Sequence, residues 1–183
     1  MTDDSALPLP RASAFLAMSL DGFIARSDGG LDWLLDAGAG LGDTGYDDFF
    51  ASVDSMLLGR NSYDIVRGFD EYPYGGKRVL VLSSTLTSID WPDASVHASL
   101  DDAIDTLRAE NRQHVYVDGG TVVQQFLRAG LLDSLTVSIA PVLIGSGIPL
   151  FGDVDRDIRL ELTGTRDLGS GFTQATYRPL PAT

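Results

Sequence analysis

Gly119 and Gly120 stand where the run VYVDGGTVVQQFLRAG, Val115 to Gly130, changes character from strand-like to helix-like. Such a pair lets the backbone bend sharply and leaves no β-carbon between a ligand and the free N–H groups of a helix's first turn. Those donors, with the positive end of the helix dipole, suit an anion such as a phosphate. A glycine pair that only serves a tight packing turn is the alternative. A second glycine junction, Gly59-Arg60-Asn61-Ser62, adds a guanidinium that can clamp a phosphate as a planar fork, unless Arg60 merely pairs with a surface aspartate. Ser83, Ser84 and Thr85 supply hydroxyls after a third apolar run. Three such segments are what a molecule with a pyrophosphate and a phosphorylated ribose requires.

Composition narrows the chemistry further. The chain has no cysteine, and its two histidines, His97 and His114, lack ligand spacing, so thiolate chemistry and a metal site are not expected. A formal charge of −13, with Lys77 the single lysine, repels polyanions, which makes nucleic acid a poor partner. An anionic ligand must then be held by a local device. No stretch approaches the roughly 20 apolar residues of a membrane span, and the acidic start MTDDSALPLPR is unlike a signal peptide, so a cytoplasmic protein is expected.

The elements that must position these groups read as follows. Residues 1–11 form a loose arm, and residues 12–180 form a single domain. Ala12 to Leu20 is a strand, followed by a loop with turn signals at Asp21-Gly22 and Asp28-Gly29-Gly30, interrupted by the apolar run Phe23 to Ala25. A helix covers Tyr46 to Ser52. Val53 to Leu58 is a strand leading into a helix that ends near Val66, and Arg78 to Ser83 is an unbroken apolar strand. Ser99 and Asp102 form a capping box for the helix Leu100 to Glu110. Leu135 to Ile139 alternates as a strand, with an apolar extension to Ile144 near a possible sheet edge. Ile158 to Asp167 and Phe172 to Arg178 form a closing hairpin. This order predicts an α/β fold with three layers: a mostly parallel central sheet, antiparallel C-terminal edge strands, and helices on both faces.

Taken in order, MSLDGFIA (18–25), Asp32-Trp33, LLGRNSYD (57–64), VLVLSS (79–84), VYVDGG with QQFL (115–127) and LDSLTVSIAPVLIGSGIPLF (132–151) resemble the dihydrofolate reductase-like family. Within it, the chain resembles the branch containing the C-terminal reductase domain of the bacterial riboflavin biosynthesis protein, over residues 12–178. The resemblance implies an NADPH-dependent oxidoreductase, similar to 5-amino-6-(5-phosphoribosylamino)uracil reductase. It implies that Gly59, Arg60 and Ser62 meet the cofactor's phosphates, Ser83 and Ser84 the adenosine end, and Gly119, Gly120, Thr121 and Val122 the pyrophosphate. Ala17 and Ile24 would flank the nicotinamide. Many dihydrofolate reductases carry an arginine just after the glycine pair, whereas Thr121, Val122 and Val123 stand here. Selectivity for the 2′-phosphate then rests on Arg60.

By the same resemblance, a carboxylate on the helix between the first two strands assists protonation. Asp47 is preferred for that role, with Asp48 and Asp43 as alternatives, though any of them could be a solvated aspartate. Trp33 and Phe50 are candidate walls for a heteroaromatic substrate, or simply core. The riboflavin-pathway substrate carries a phosphate, and the region Gly22 to Gly45 offers only Arg26 to meet one. The expected substrate is therefore a pterin-like, pyrimidine-like or small carbonyl or imine compound. A nucleotide-binding module with the cleft but little turnover is the competing reading, and a homodimer joined through the terminal strands is expected.

Overall fold

Alternation with period two sorts each central strand between two hydrophobic layers. The computed structural model describes residues 8–69 and 72–181. In β3 (Ser55–Gly59), β4 (Arg78–Leu82) and β6 (His114–Asp118), Leu57, Leu80, Val115 and Val117 enter one layer. Met56, Leu58, Val79, Val81 and Tyr116 enter the other. Helices α4 (Leu100–Ala109) and α5 (Gly120–Ala129) cover the first layer with Ala103, Ile104, Leu107, Val123 and Phe126. Helices α2 (Tyr46–Ser52) and α3 (Arg60–Val66) cover the second with Tyr46, Phe49, Tyr63 and Val66. Strands buried on both faces need apolar residues throughout; β4, with every residue buried, is the clearest case. A short helix α1 (Asp32–Ala37) packs Trp33 into a third, smaller cluster with Ala140 and Phe172.

The main sheet has eight strands in the order β5-β4-β3-β6-β1-β7-β10-β9. Here β5 is Ala94–His97, β1 Arg11–Ser19, β7 Ser134–Ala140, β10 Phe172–Pro179 and β9 Leu160–Gly169. Pairing is parallel from β5 through β7, and antiparallel for β7 with β10 and for β10 with β9. The chain builds outward from β3 to β5 and then returns to insert β6 beside β1. Such a reversal opens a crevice at the carboxyl ends of the strands. It falls at the junction of β6 with α5, between β3, which runs straight into α3, and β1, which ends in a turn.

A two-stranded ribbon, β2 (Phe23–Ala25) with β8 (Ile148–Pro149), roofs that crevice. Asp21 holds the roof in place, accepting from Ser19 Oγ at 2.6 Å and from the N–H of Gly145 at 2.7 Å. The Ser19 hydrogen bond, with help from the Gly145 and Ile144 amides, holds its carboxyl below the usual range. The Asp-Gly turn signal is thus a tie between two loops as well as a bend.

Most helix and strand bounds agree with the sequence reading within two residues. The Ser99 cap is present, its Oγ accepting from Asp102 N–H at 3.2 Å. Three points differ. Asp32 and Trp33 open α1 instead of closing a loop. The strand ending at Ala140 does not continue to Ile144, because Pro141 has no N–H to donate to a ladder, and β7 lies inside the sheet, leaving β5 and β9 as its edges. Most of the expected N-terminal arm, residues 1–7, falls outside the described residues, while Pro10 is buried and Arg11 already belongs to β1.

Candidate active site

Gly119, the N-cap of α5, has a φ of 92°, which glycine tolerates and other residues rarely adopt. A β-carbon there would lie 2.6 Å from Ser62 Oγ, and one on Gly120 would run into the Pro149 carbonyl. Both glycines are thus required by the close approach of α3 on one side and the roof on the other. No side chain caps α5, so the first-turn N–H groups of this ten-residue helix keep their donors for something else.

Those amides border a cleft of about 410 Å³. Ile24, Gly59, Arg60, Ser62, Ser83, Ser84, Gly119, Gly120, Thr121 and Val122 all line it, and Ala17 lines the cleft adjoining. Every residue assigned to the cofactor from sequence is therefore brought to one continuous groove. Helix α3 is only seven residues long, so its side of the groove offers a phosphate chiefly side chains. Arg60 Nε is 2.7 Å from Asp64 Oδ2, and one terminal nitrogen donates to Thr85 Oγ1 at 3.0 Å. The guanidinium is thereby held across the groove wall, with Asp64 offsetting part of its charge. Ser83 Oγ accepts from the N–H of Leu86 at 2.9 Å and so shapes the turn after β4. A glycine cradle, uncapped helix amides, one arginine and a row of hydroxyls fit an elongated anion bearing two or three phosphates.

The second cleft, about 710 Å³, shares Ile24, Ala25, Ser62, Ile65 and Gly119 with the first. Its walls come from Phe15, Leu31, Leu34, Leu35, Leu41, Tyr46, Phe69 and Phe172, and the one acidic residue among them is Asp118. Asp118 ends β6, immediately before the glycine pair, and is half-buried. Burial pushes its carboxyl up from an ordinary 3.8 to about 6, against the opposing pull of the Gly119 N–H and the Ser62 side chain. Tyr116, two residues earlier on β6, adds a weaker pull in the same direction, and its hydroxyl donates to the Phe15 carbonyl at 2.7 Å. A carboxyl balanced in this way can hold a proton near neutral pH and give it up to a neighbour.

Asp47 and Asp48 do not reach either cleft. Both are exposed on α2, where the inward positions belong to Tyr46, Phe49 and Phe50. Asp43 is exposed as well and sits 3.7 Å from Arg166. Trp33 and Phe50 are also elsewhere. Trp33 is 4% exposed in the cluster beneath α1, and Phe50 stacks on Tyr46 with Lys77 Nζ 4.9 Å from its ring centre. The aromatic walls of the second cleft are Phe15, Tyr46, Phe69 and Phe172 instead. Asp118 had a signal in the sequence: it is the lone polar residue closing the apolar run Val115 to Val117, at the carboxyl end of a central strand.

Residues 11–174 match the model of the RibD C-terminal domain. The chain belongs to the RibD C-terminal domain family. Among relatives, YwjB of Bacillus subtilis (strain 168), itself uncharacterized, is 34% identical over 158 residues, spanning 85% of this chain and 90% of that protein. A Shewanella sp. PV-4 protein assigned by name to riboflavin biosynthesis superposes with a TM-score of 0.85 at 34% identity, over 93% of this chain and 99% of that one. Dihydrofolate reductase from Enterococcus faecalis, solved in complex with NADP(H), shares the fold with a TM-score of 0.67 at 17% identity, over 93% of this chain and 97% of its own. The RibD C-terminal and dihydrofolate reductase folds are thus one architecture here, with the parallel sheet and antiparallel edge strands expected from sequence. No helix among the described residues is long and apolar enough to cross a membrane.

Proposed function

We propose that this RibD C-terminal family member is an NADPH-dependent reductase acting on a C=N or C=O bond. The observation that carries the reading is the junction at Asp118 and Gly119, where the polar groove and the apolar cleft meet beside a carboxyl that burial pushes up to about 6. In this reading the α5 amides and Thr121 receive the pyrophosphate, and Arg60 and Ser62 receive the ribose phosphate. Ser83 and Ser84 border the adenosine, and Ala17 and Ile24 flank the nicotinamide. When bound, the reduced cofactor supplies the hydride to the substrate carbon and leaves as NADP⁺. Asp118 gives its proton to the neighbouring nitrogen or oxygen and recovers one from water. The double bond thereby gains one hydride and one proton, and no other reactant is needed.

The protein's own contribution is position and electrostatics. Gly119 lets the backbone pass close to Ser62, Phe15 and Tyr46 meet edge to face at 73° along the apolar cleft, and the β2–β8 ribbon covers one side of the groove. A binding module without turnover is the reading a cleft lacking an acid would favour, and Asp118 stands in this cleft. The test is NADPH oxidation by the purified chain with a panel of cyclic imines, dihydropteridines and aromatic ketones, run beside Asp118→Asn. Turnover by the wild type that the variant loses supports the reading. Binding of NADPH with no oxidation under any substrate overturns it in favour of the binding module.

A further inference from the structure

Among the described residues, the substrate half of the groove carries no positive charge. Neither lysine nor arginine lines the 710 Å³ cleft, and its acidic group is Asp118. The cations nearest to it in the chain are already engaged, Arg60 beside Ser62 among them, with Asp64 at 2.7 Å and Thr85 at 3.0 Å. Arg26 holds Asp32 through two bonds of 2.7 and 2.8 Å. Arg67 stands 3.7 Å from Asp64, and Arg166 donates to the Asp43 carbonyl at 3.1 Å from outside the 38–45 loop. Lys77 donates to the Val53 carbonyl and lies against Phe50. A phosphate or carboxylate entering this cleft would lose its hydration with nothing of opposite charge to replace it, in a protein of net charge −13.

The mouth points the same way. Leu35 is 72% exposed and Phe69 52% exposed, and both line this cleft. Large apolar side chains left open at the rim of an apolar hollow mark a place where a hydrophobic molecule docks. The volume accommodates a bicyclic or tricyclic ring system, within the roughly 300 to 1,000 Å³ of ordinary small-molecule sites.

We infer that the substrate is a flat, largely apolar ketone or cyclic imine, neutral or cationic and without phosphate or carboxylate, and that sugar-phosphate substrates are excluded. This rests on the reductase reading above, with the same hydride and the same Asp118 proton. The ring lies among Phe15, Tyr46, Leu34 and Leu41, which line the cleft, and the C=X group turns toward Asp118.

The experiment uses the full chain saturated with NADP⁺, which blocks the phosphate-binding groove and has no hydride to give the ketone. Two probes are compared by saturation-transfer NMR: 2-acetonaphthone as the neutral aromatic ketone and uridine monophosphate as the phosphorylated pyrimidine. The expected result is that the ketone binds at least about tenfold more tightly. Equal or tighter binding of the nucleotide overturns the inference, as does absence of binding by the ketone. Failure of NADPH itself to bind, seen beforehand as absence of thermal stabilisation, refutes both the reductase reading and this inference. A second variant, Leu35→Arg, is placed at a position exposed enough to spare the fold. It should weaken the ketone and strengthen the nucleotide, reversing the preference; no change in either would show that Leu35 does not border the bound substrate and would count against the inference.

Discussion

Replacing Asp118 with asparagine should make the protein more stable and less active at once, and the size of each effect follows from the carboxyl's position. A group raised from 3.8 to about 6 costs the folded state roughly 3 kcal/mol once the pH exceeds both values. The sign is fixed by which state holds the proton. Between about pH 4 and pH 6 the folded protein binds more protons at this site than the unfolded chain, so this group's contribution to stability falls as pH rises through that window. Above it the full penalty is present, and below it the penalty vanishes. His114, whose imidazole is held below 6.5 by burial, works in the opposite sense, taking stability away as pH falls below 6.5. It is common to wild type and variant, so the difference between the two isolates Asp118. At pH 8 the variant should be the more stable, by at most about 3 kcal/mol, since water in the cleft screens a half-buried carboxylate. For a chain of this length that ceiling corresponds to roughly 6–12 °C in Tm. At pH 3.5 the two should melt together. Turnover of the variant should fall by about 10²–10⁴, and wild-type kcat/KM should decline as pH rises past about 6. Thermal melts across pH, paired with NADPH oxidation, check both halves. A variant with no stability gain at pH 8 would refute the strained carboxyl, and one with unchanged turnover would refute its role as proton donor.

Other residues give sharper contrasts. Gly120→Ala places a β-carbon against the Pro149 carbonyl, which is backbone and cannot rotate away; NADPH affinity by fluorescence titration should drop about tenfold or more as the roof shifts. Arg60→Ala should weaken NADPH by about tenfold while leaving NADH nearly unchanged, because the lost charge-assisted bonds reach the 2′-phosphate alone; equal losses for both cofactors would place Arg60 elsewhere. Asp47→Asn and Asp48→Asn, at exposed positions on α2, should alter stability by less than about 0.5 kcal/mol and leave turnover unchanged. Sedimentation should give twice the 19.6 kDa chain mass, because β9 is an unpaired sheet edge with Leu160 and Leu162 exposed; a monomer would remove the dimer.

Local pattern carried the glycine junctions, because a positive φ and a close approach impose a residue type that stands out in any sequence. Gly59, Gly119 and Gly120 therefore identified the groove, and the strands could be read from the period that sends Met56 and Leu57 to opposite faces. The place of Asp118 at the end of an apolar run was legible in this way, but its environment was not. What lifts its carboxyl is desolvation in a pocket it shares with Phe15 from β1, Tyr46 from α2 and Tyr116 on its own strand, and those come together only when the strand order is known. Asp47 and Asp48 lie on the helix suggested by the family resemblance, yet the turn of α2 that buries Tyr46, Phe49 and Phe50 sends both carboxylates outward. Trp33 was misplaced for a related reason: an aromatic beside a loop can face a ligand or a core, and Ala140 and Phe172 from two distant strands decide for the core. Strand order likewise depends on partners far along the chain, which is why an apolar run near the C-terminus suggested an edge while β7 lies between β1 and β10.

The most direct test is an amide NMR titration of the full chain with NADPH. The expected result is that the largest shifts fall on Gly119, Gly120, Thr121 and Val122, with further shifts at Arg60, Ser62, Ser83 and Ser84, the residues that border one groove. Saturating NADPH that leaves those amides unmoved, or moves another face of the protein, would contradict it.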